Sequence, residues 1–179
     1  QNKPREGSVN LKIEWIDFHS FAHEIEACMY SGCENQEDGT LKSWADYPSD
    51  EWLKQSIFAL KQDTRLLDEF ILKKGAEALR ASFDKHQIQP EDMDYVLAHI
   101  SSNYFKDGLR EEFANVGLDF PVEKWYYNLS EVGNIGAGSI FIVTEELMNS
   151  GKLKKGEKIL LCVPESGRFA YSCALLTVC

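Results

Sequence analysis

Apolar residues recur in two rhythms along this chain, and the two rhythms predict strands and helices in turn. "LKIEWIDF" (11–18) sets Leu11, Ile13, Trp15 and Ile16 among polar residues, approximately the alternation of a strand. Leu72, Ala76, Leu79 and Phe83 then fall on one face of a helix predicted over 64–88, with Asp63 or Thr64 placed to cap its first amides. Gly75 inside that helix costs about 1 kcal/mol against alanine, which points to something packed very close. Pro90 in "QPEDMD" suits a first helical position. "YVLAHI" (95–100) predicts a buried strand, 102–117 a helix ended near Gly117, and "WYYN" (125–128) a strand-like aromatic segment. Over 137–150, Ala137, Ile140, Phe141, Thr144, Leu147 and Met148 share a helical face while Glu145, Glu146 and Asn149 point away, and Gly151 suits the stop. "KILLCV" (158–163) and "FAYSCALLTV" (169–178) predict two more buried strands. Strand, helix, strand, helix, strand and closing strand make an α/β fold with a mixed sheet. The whole chain, 1–179, is expected to be a single domain, with a polar lead-in at 1–9 and an acidic, turn-rich surface loop at 33–52.

Composition narrows the functional classes. With 179 residues the chain can bury an ordinary core without staples. Its formal net charge is −10, which argues against nucleic acid as a main partner, since phosphate backbones need a basic face. The five cysteines Cys28, Cys33, Cys162, Cys173 and Cys179 are odd in number and show no framework spacing, which favours reduced thiols and a cytoplasmic setting. No apolar run approaches the roughly 18 residues of a membrane span. The first residue is Gln1 rather than Met, so a processed, trimmed or partial chain is expected.

Four stretches carry candidate chemistry. "SEVGNIGAGSI" (130–140) sets Gly133, Gly136 and Gly138 around Asn134 at the start of a helix. Its glycine order fits neither a dinucleotide fingerprint nor a P-loop, leaving a close-packing joint or a turn built to present Asn134. An anion site using this loop and Lys152, Lys154 and Lys155 is a further alternative. His99 ends a buried strand, where α/β sheets meet their ligands; it suits acid/base work or hydrogen-bond donation, or it is a satisfied core histidine. Gly167 in "PESGRFAYSC" (164–173) stands in a turn that can offer a backbone N–H to an oxyanion, or is an ordinary hairpin glycine. His19, His23, Cys28 and Cys33 offer four nitrogen and sulfur ligands, but their spacing is loose for zinc, and no metal or cofactor is expected.

Three of these stretches match one family in order and spacing. The strand ending in His99, the Gly133-Asn134-x-x-Ala137-x-Ser139 turn before a helix, and the Gly167 turn between two C-terminal strands together resemble β-ketoacyl-acyl carrier protein synthase III. "SGKLKKGEKILLCV" and "GRFAYSCALLTV" resemble that family's helix exit with its next strand, and its closing strand. The likeness is strongest over 91–178 and covers only the C-terminal half of such an enzyme. It implies half of a thiolase-like fold, a mixed five-stranded sheet with helices on both faces. It implies His99 and Asn134 as donors to an enolate oxygen and the Gly167 N–H as a donor to an acyl thioester oxygen. Ser102, Asn103, Gly133, Ile135, Arg168 and Phe169 are the implied substrate-contacting positions. The reaction implied is decarboxylative condensation of an acyl-CoA or acyl carrier protein thioester with a malonyl unit. The nucleophilic cysteine belongs to the other half, and none of the five here stands at a strand-to-helix nucleophile turn. The implied partner is therefore the N-terminal half or a second copy of this chain. Ser102 with Asn103 one place late, and Ser166-Gly167-Arg168 in place of a glycine triplet, depart from the family's usual pattern. These departures suggest a specialised member, of polyene or resorcinol type; a non-catalytic interaction module is the alternative.

Overall fold

The computed structural model describes residues 6–179; the first five positions of the 1–9 lead-in lie outside the described residues. The strands are β1 (Leu11–Ser20), β2 (Met29–Tyr30), β3 (Cys33–Asn35), β4 (Leu41–Ser43), β5 (Lys61–Gln62), β6 (Tyr95–Ala98), β7 (Lys158–Glu165) and β8 (Ala170–Val178). The α-helices are α1 (Thr64–His86), α2 (Phe105–Asn115), α3 (Leu129–Val132) and α4 (Ser139–Asn149).

One mixed sheet organises these elements, in the order β1-β8-β7-β6. β8 runs antiparallel to both β1 and β7, whereas β6 and β7 are parallel. Trp125 extends the sheet beyond β6 through a single parallel bridge to Val96. The expected five-stranded sheet is thus four strands plus one bridging residue. The "WYYN" segment continues straight into α3, and its three aromatic rings do different jobs. Trp125 and Tyr127 stack at 5.7 Å over the α1/α2 layer, while the Tyr126 hydroxyl donates to Glu146 of α4.

α1 and α2 cover one face of the sheet, where Ala76, Leu79, Phe83, Leu109 and Phe113 pack against Val96, Leu160 and Leu175. Asp63 caps α1 with its carboxylate on the amides of Arg65 and Leu66, as the sequence suggests. Gly75 has the predicted reason: a Cβ there would lie 3.2 Å from Tyr171 Cε1, and the Tyr171 hydroxyl donates to the Ile71 carbonyl at 2.8 Å.

α4 covers part of the other face through Ile140, Val143 and Leu147 on Leu97, Ile159, Leu176 and Val178. Its inward stripe differs from the expected one. Ala137 precedes the helix and is exposed, and Phe141 is 74% exposed on the flank away from the sheet. Residues 21–62 form an appendage of two short hairpin-like pairs, β2 with β5 and β3 with β4. The stretch 33–52, expected as a turn-rich surface loop, contains a small hairpin and a capped helical turn, Trp44–Asp46. Trp52 meets Trp44 and Phe58 edge-on, an aromatic cluster on the surface of this appendage.

Candidate active site

A cavity of about 600 Å³ opens at the end of the sheet where β6 stops and the β7–β8 hairpin turns. Its walls are mostly apolar, with Ile71, Leu72, Phe105, Leu109 and Phe113 from the α1/α2 side and Phe18 from β1. Polar side chains are fewer: His99, Ser101, Asn134, Glu165 and Ser166 gather at the strand ends, with Gln62 and Ser172 also in the lining. A mainly apolar chamber with a few convergent polar groups is the usual form of a small-molecule site.

His99 follows β6 directly, and its backbone N–H continues the parallel ladder to the Cys162 carbonyl at 2.9 Å. That bond fixes the side chain beside both the main cavity and a hollow of about 20 Å³ bounded by Tyr127, Gly133 and Ser139. The Nδ1 atom is buried without a hydrogen-bond partner. Burial lowers the imidazole pKa from its ordinary 6.5, so the ring is held neutral at pH 7. A neutral imidazole can donate a hydrogen bond without bringing a charge into the apolar chamber.

Asn134 reaches the same cavity from the loop before α4. Gly133 and Gly136 adopt φ of +73° and +65°, a left-handed backbone that a side chain would strain. The turn folds the Gly136 N–H onto Asn134 Oδ1 at 2.8 Å, and Ser139 Oγ accepts the Ile135 N–H at 3.2 Å. With its carbonyl so engaged, the side-chain amide keeps its NH₂ toward the strand end, 3.5 Å from the Ser101 carbonyl. The loop's glycines thus serve the asparagine, and the N–H groups of Gly133, Ile135 and Gly136 are bound within the turn rather than turned outward as an anion cradle. Lys152 of the basic run is committed to the face of Tyr126, 5.3 Å from the ring centre.

The hairpin tip is arranged differently. Glu165, the last residue of β7, folds its carboxylate over the turn and accepts the N–H groups of Gly167 at 2.5 Å and Arg168 at 3.0 Å. The Gly167 carbonyl in turn accepts the Cys28 N–H at 2.8 Å. A Cβ at Gly167 would stand 2.5 Å from Glu165 Oε1, so a side chain there would displace the carboxylate. The N–H expected to serve a thioester oxygen is held by an internal anion in this structure.

The remaining expected contacts scatter. Ser102 Oγ accepts the Tyr104 N–H, and the Asn103 amide donates to Ser130, both on the exposed entry to α2. Ile135 is 53% exposed and Arg168 is exposed. Phe169 is fully buried with φ +53° and meets Phe70 edge-on at 6.0 Å in a core cluster with Tyr171. Of the implied substrate positions, Gly133 borders the small hollow, while Ser102, Asn103, Ile135, Arg168 and Phe169 stand outside the walls of the main cavity. The four candidate zinc ligands go separate ways. His19 bonds Ser82 at 2.8 Å, His23 faces Glu24, and the Cys28 and Cys33 thiols meet the carbonyls of Asp63 and Ser31. Sequence reasoning missed Glu165, whose only signal was an acid two residues before the turn glycine. It also missed Cys162 and Cys173, buried in the cavity wall. None of the five cysteines stands at the start of a helix.

The comparisons with known proteins converge. A family model described as 3-oxoacyl-[acyl-carrier-protein (ACP)] synthase III C terminal matches residues 83–177. The beta-ketoacyl-[acyl-carrier-protein] synthase III of Microcystis aeruginosa is 31% identical over 100 residues, 56% of this chain and 28% of that protein. The enzyme of the same name from Koribacter versatilis is 27% identical over 119 residues, 66% of this chain and 34% of its own length. The chain thus spans about a third of the curated relatives it matches. Among solved structures, the synthase III of Thermus thermophilus superposes with a TM-score of 0.67 at 21% identity, covering 98% of this chain and 48% of that one. OleA of Xanthomonas campestris gives 0.66 at 21% identity, over 93% of this chain and 40% of its own. Both are likenesses of fold, and they place this chain as one half of a thiolase-like architecture. With its sheet, its helices and most of its sequence from Phe83 onward accounted for in this way, the chain belongs to the C-terminal family of 3-oxoacyl-acyl carrier protein synthase III.

Proposed function

We propose that this chain is the C-terminal catalytic half of a decarboxylating condensing enzyme. The enzyme joins an acyl thioester, delivered by coenzyme A or an acyl carrier protein, to a malonyl-acyl carrier protein in the cytoplasm. The observation that carries this reading is the convergence of His99 and Asn134, 35 residues apart in sequence, on one largely apolar cavity, the Asn134 NH₂ having a second N–H beyond its long bond to Ser101. Loss of carbon dioxide from a malonyl thioester leaves an enolate whose negative charge sits on oxygen. A neutral imidazole N–H and a carboxamide N–H supply two fixed donors to that oxygen, and preorganised donors lower the barrier more than water does. The enolate carbon then attacks an acyl group held on a cysteine that the other half of the enzyme supplies.

That half docks on the side of the sheet which α4 covers only in part, where Ile13, Ile16 and Phe18 of β1 and Phe141 of α4 are exposed. The products belong to fatty-acid, polyene or resorcinol-type biosynthesis. His99→Ala and Asn134→Ala, each in the complete enzyme, are expected to lower malonyl-thioester decarboxylation at least about tenfold, the loss of one such donor being worth more than 1.4 kcal/mol. The melting temperature is expected to hold. Unchanged rates in both variants would overturn the reading.

One observation favours a second reading. With the Gly167 N–H held by Glu165, the thioester oxygen lacks the donor the family resemblance implies. As a non-catalytic interaction domain, the chain would lose thermal stability on His99 or Asn134 replacement, with no change in any reaction.

A further inference from the structure

Cys162 on β7 and Cys173 on β8 stand directly opposite one another in the antiparallel pair. Their side chains lie on the α1/α2 face of the sheet, both residues are buried, and both form part of the cavity wall. Directly opposed residues of an antiparallel pair have Cα atoms about 4.5–5.5 Å apart, within the roughly 4.4–6.8 Å that a disulfide spans. The neighbouring thiol of Cys173 raises the pKa of Cys162 most, with burial second, in keeping with that cross-strand pairing. The other cysteines have no such neighbour: Cys28 donates to the Asp63 carbonyl, and Cys33 and Cys179 to carbonyls two residues away.

We propose that Cys162 and Cys173 form a redox-modification site, a dithiol that hydrogen peroxide entering the cavity converts to a cross-strand disulfide. One thiolate takes an oxygen atom from peroxide, giving a sulfenic acid and hydroxide, and the hydroxide is neutralised by the proton that the thiol released. The second thiol attacks the sulfenic sulfur, forming the S–S bond and expelling the oxygen as water. Two thiols and one peroxide thus become one disulfide and two waters; the sulfurs are oxidised and the peroxide is reduced. The reacting species is the thiolate, so the rate rises with pH across the neutral range. The Cys162 carbonyl holds the His99 N–H at 2.9 Å, which couples the bond to the candidate site through one strand.

The test uses the full chain carrying Cys33→Ser and Cys179→Ser, treated with peroxide while folded. Expected are the loss of two hydrogens in the intact mass, a peptide linking Cys162 to Cys173, and reversal by dithiothreitol. With Cys173→Ser as well, the chain should gain an oxygen that dimedone traps. If that variant does not fold, the peptide map of the parent decides. The His99 ring resonances should move on oxidation and return on reduction. A pair that stays reduced, goes on to sulfinic acid, or links different molecules would overturn the site. A His99 ring indifferent to the bond would overturn the coupling.

Discussion

Gly167 and Glu165 are in such close contact that a change at one is felt at the other. In Gly167→Ala the new methyl meets the carboxylate, which must leave the two N–H groups it accepts. The expected loss is about 1–3 kcal/mol in urea-unfolding stability. In a Glu165→Ala background the same methyl meets no carboxylate, so the second substitution is expected to cost much less. A double-mutant cycle reads the coupling, on the order of 1 kcal/mol; strictly additive effects would contradict the contact. His99 gives a second expectation. Its pKa is depressed below 6.5 by burial, so the ring stays the neutral donor to a lower pH than an exposed histidine would. Activity of the complete enzyme is expected to keep its acidic limb below pH 6.5, and ring-carbon shifts of His99 should titrate over the same range. Asn134 was legible in the sequence because its glycines announce the turn. Glu165 was not, because a carboxylate two residues before a glycine becomes an acceptor only in a loop whose shape depends on Phe169 at φ +53°.

Among the elements, β1 and α1 are joined by a polar cluster that no hydrophobic pattern announces. Asp17, 6% exposed, accepts Lys85 Nζ at 2.5 Å and His86 Nε2 at 2.9 Å, and His86 stacks on Trp15 at 4.4 Å. Burial alone would raise the Asp17 pKa; the hydrogen bonds from Lys85 and His86 outweigh it and hold the carboxyl below 3.8. A group depressed on folding stabilises the native state at pH values above its unfolded pKa, and that contribution fades as pH falls through the folded value. The wild-type chain is therefore expected to lose stability below pH 3.8 more steeply than Asp17→Asn, which should also be weaker by on the order of 1–3 kcal/mol at neutral pH. Denaturant midpoints against pH would show parallel curves if Asp17 contributed nothing. The helices and long strands were legible because burial enforces periods of 3.6 and 2. The inward stripe of α4 was not. Ile140 and Phe141 are adjacent and equally apolar, so either could turn inward, and only the position of Leu97 and Ile159 beneath the helix selects Ile140.

At the scale of the molecule, that selection leaves large apolar side chains in solvent. Phe141 is 74% exposed, and Ile13, Ile16 and Phe18 on the same side of the sheet are 59%, 62% and 67% exposed. They share that side because Ile13, Ile16 and Phe18 pair with Leu176, Ala174 and Ser172, the alternate positions of β8. Scattered apolar residues are ordinary on a surface; several large ones on one side of a sheet mark an interface. The proposed occupant is the N-terminal half of the enzyme, and in its absence a second copy of this chain would shield the same face. Sedimentation of the chain alone at micromolar concentration is accordingly expected to give a dimer or larger species, above the 20.4 kDa of one chain. Phe18→Glu with Phe141→Glu should return it to a single-chain mass. Both side chains face solvent within one chain, so the pair should leave the melting temperature of the monomer nearly unchanged, whereas Ile140→Glu on the inward stripe should unfold it. A wild-type chain that sediments as a monomer would remove the interface, and with it the physical reason for pairing this half with another.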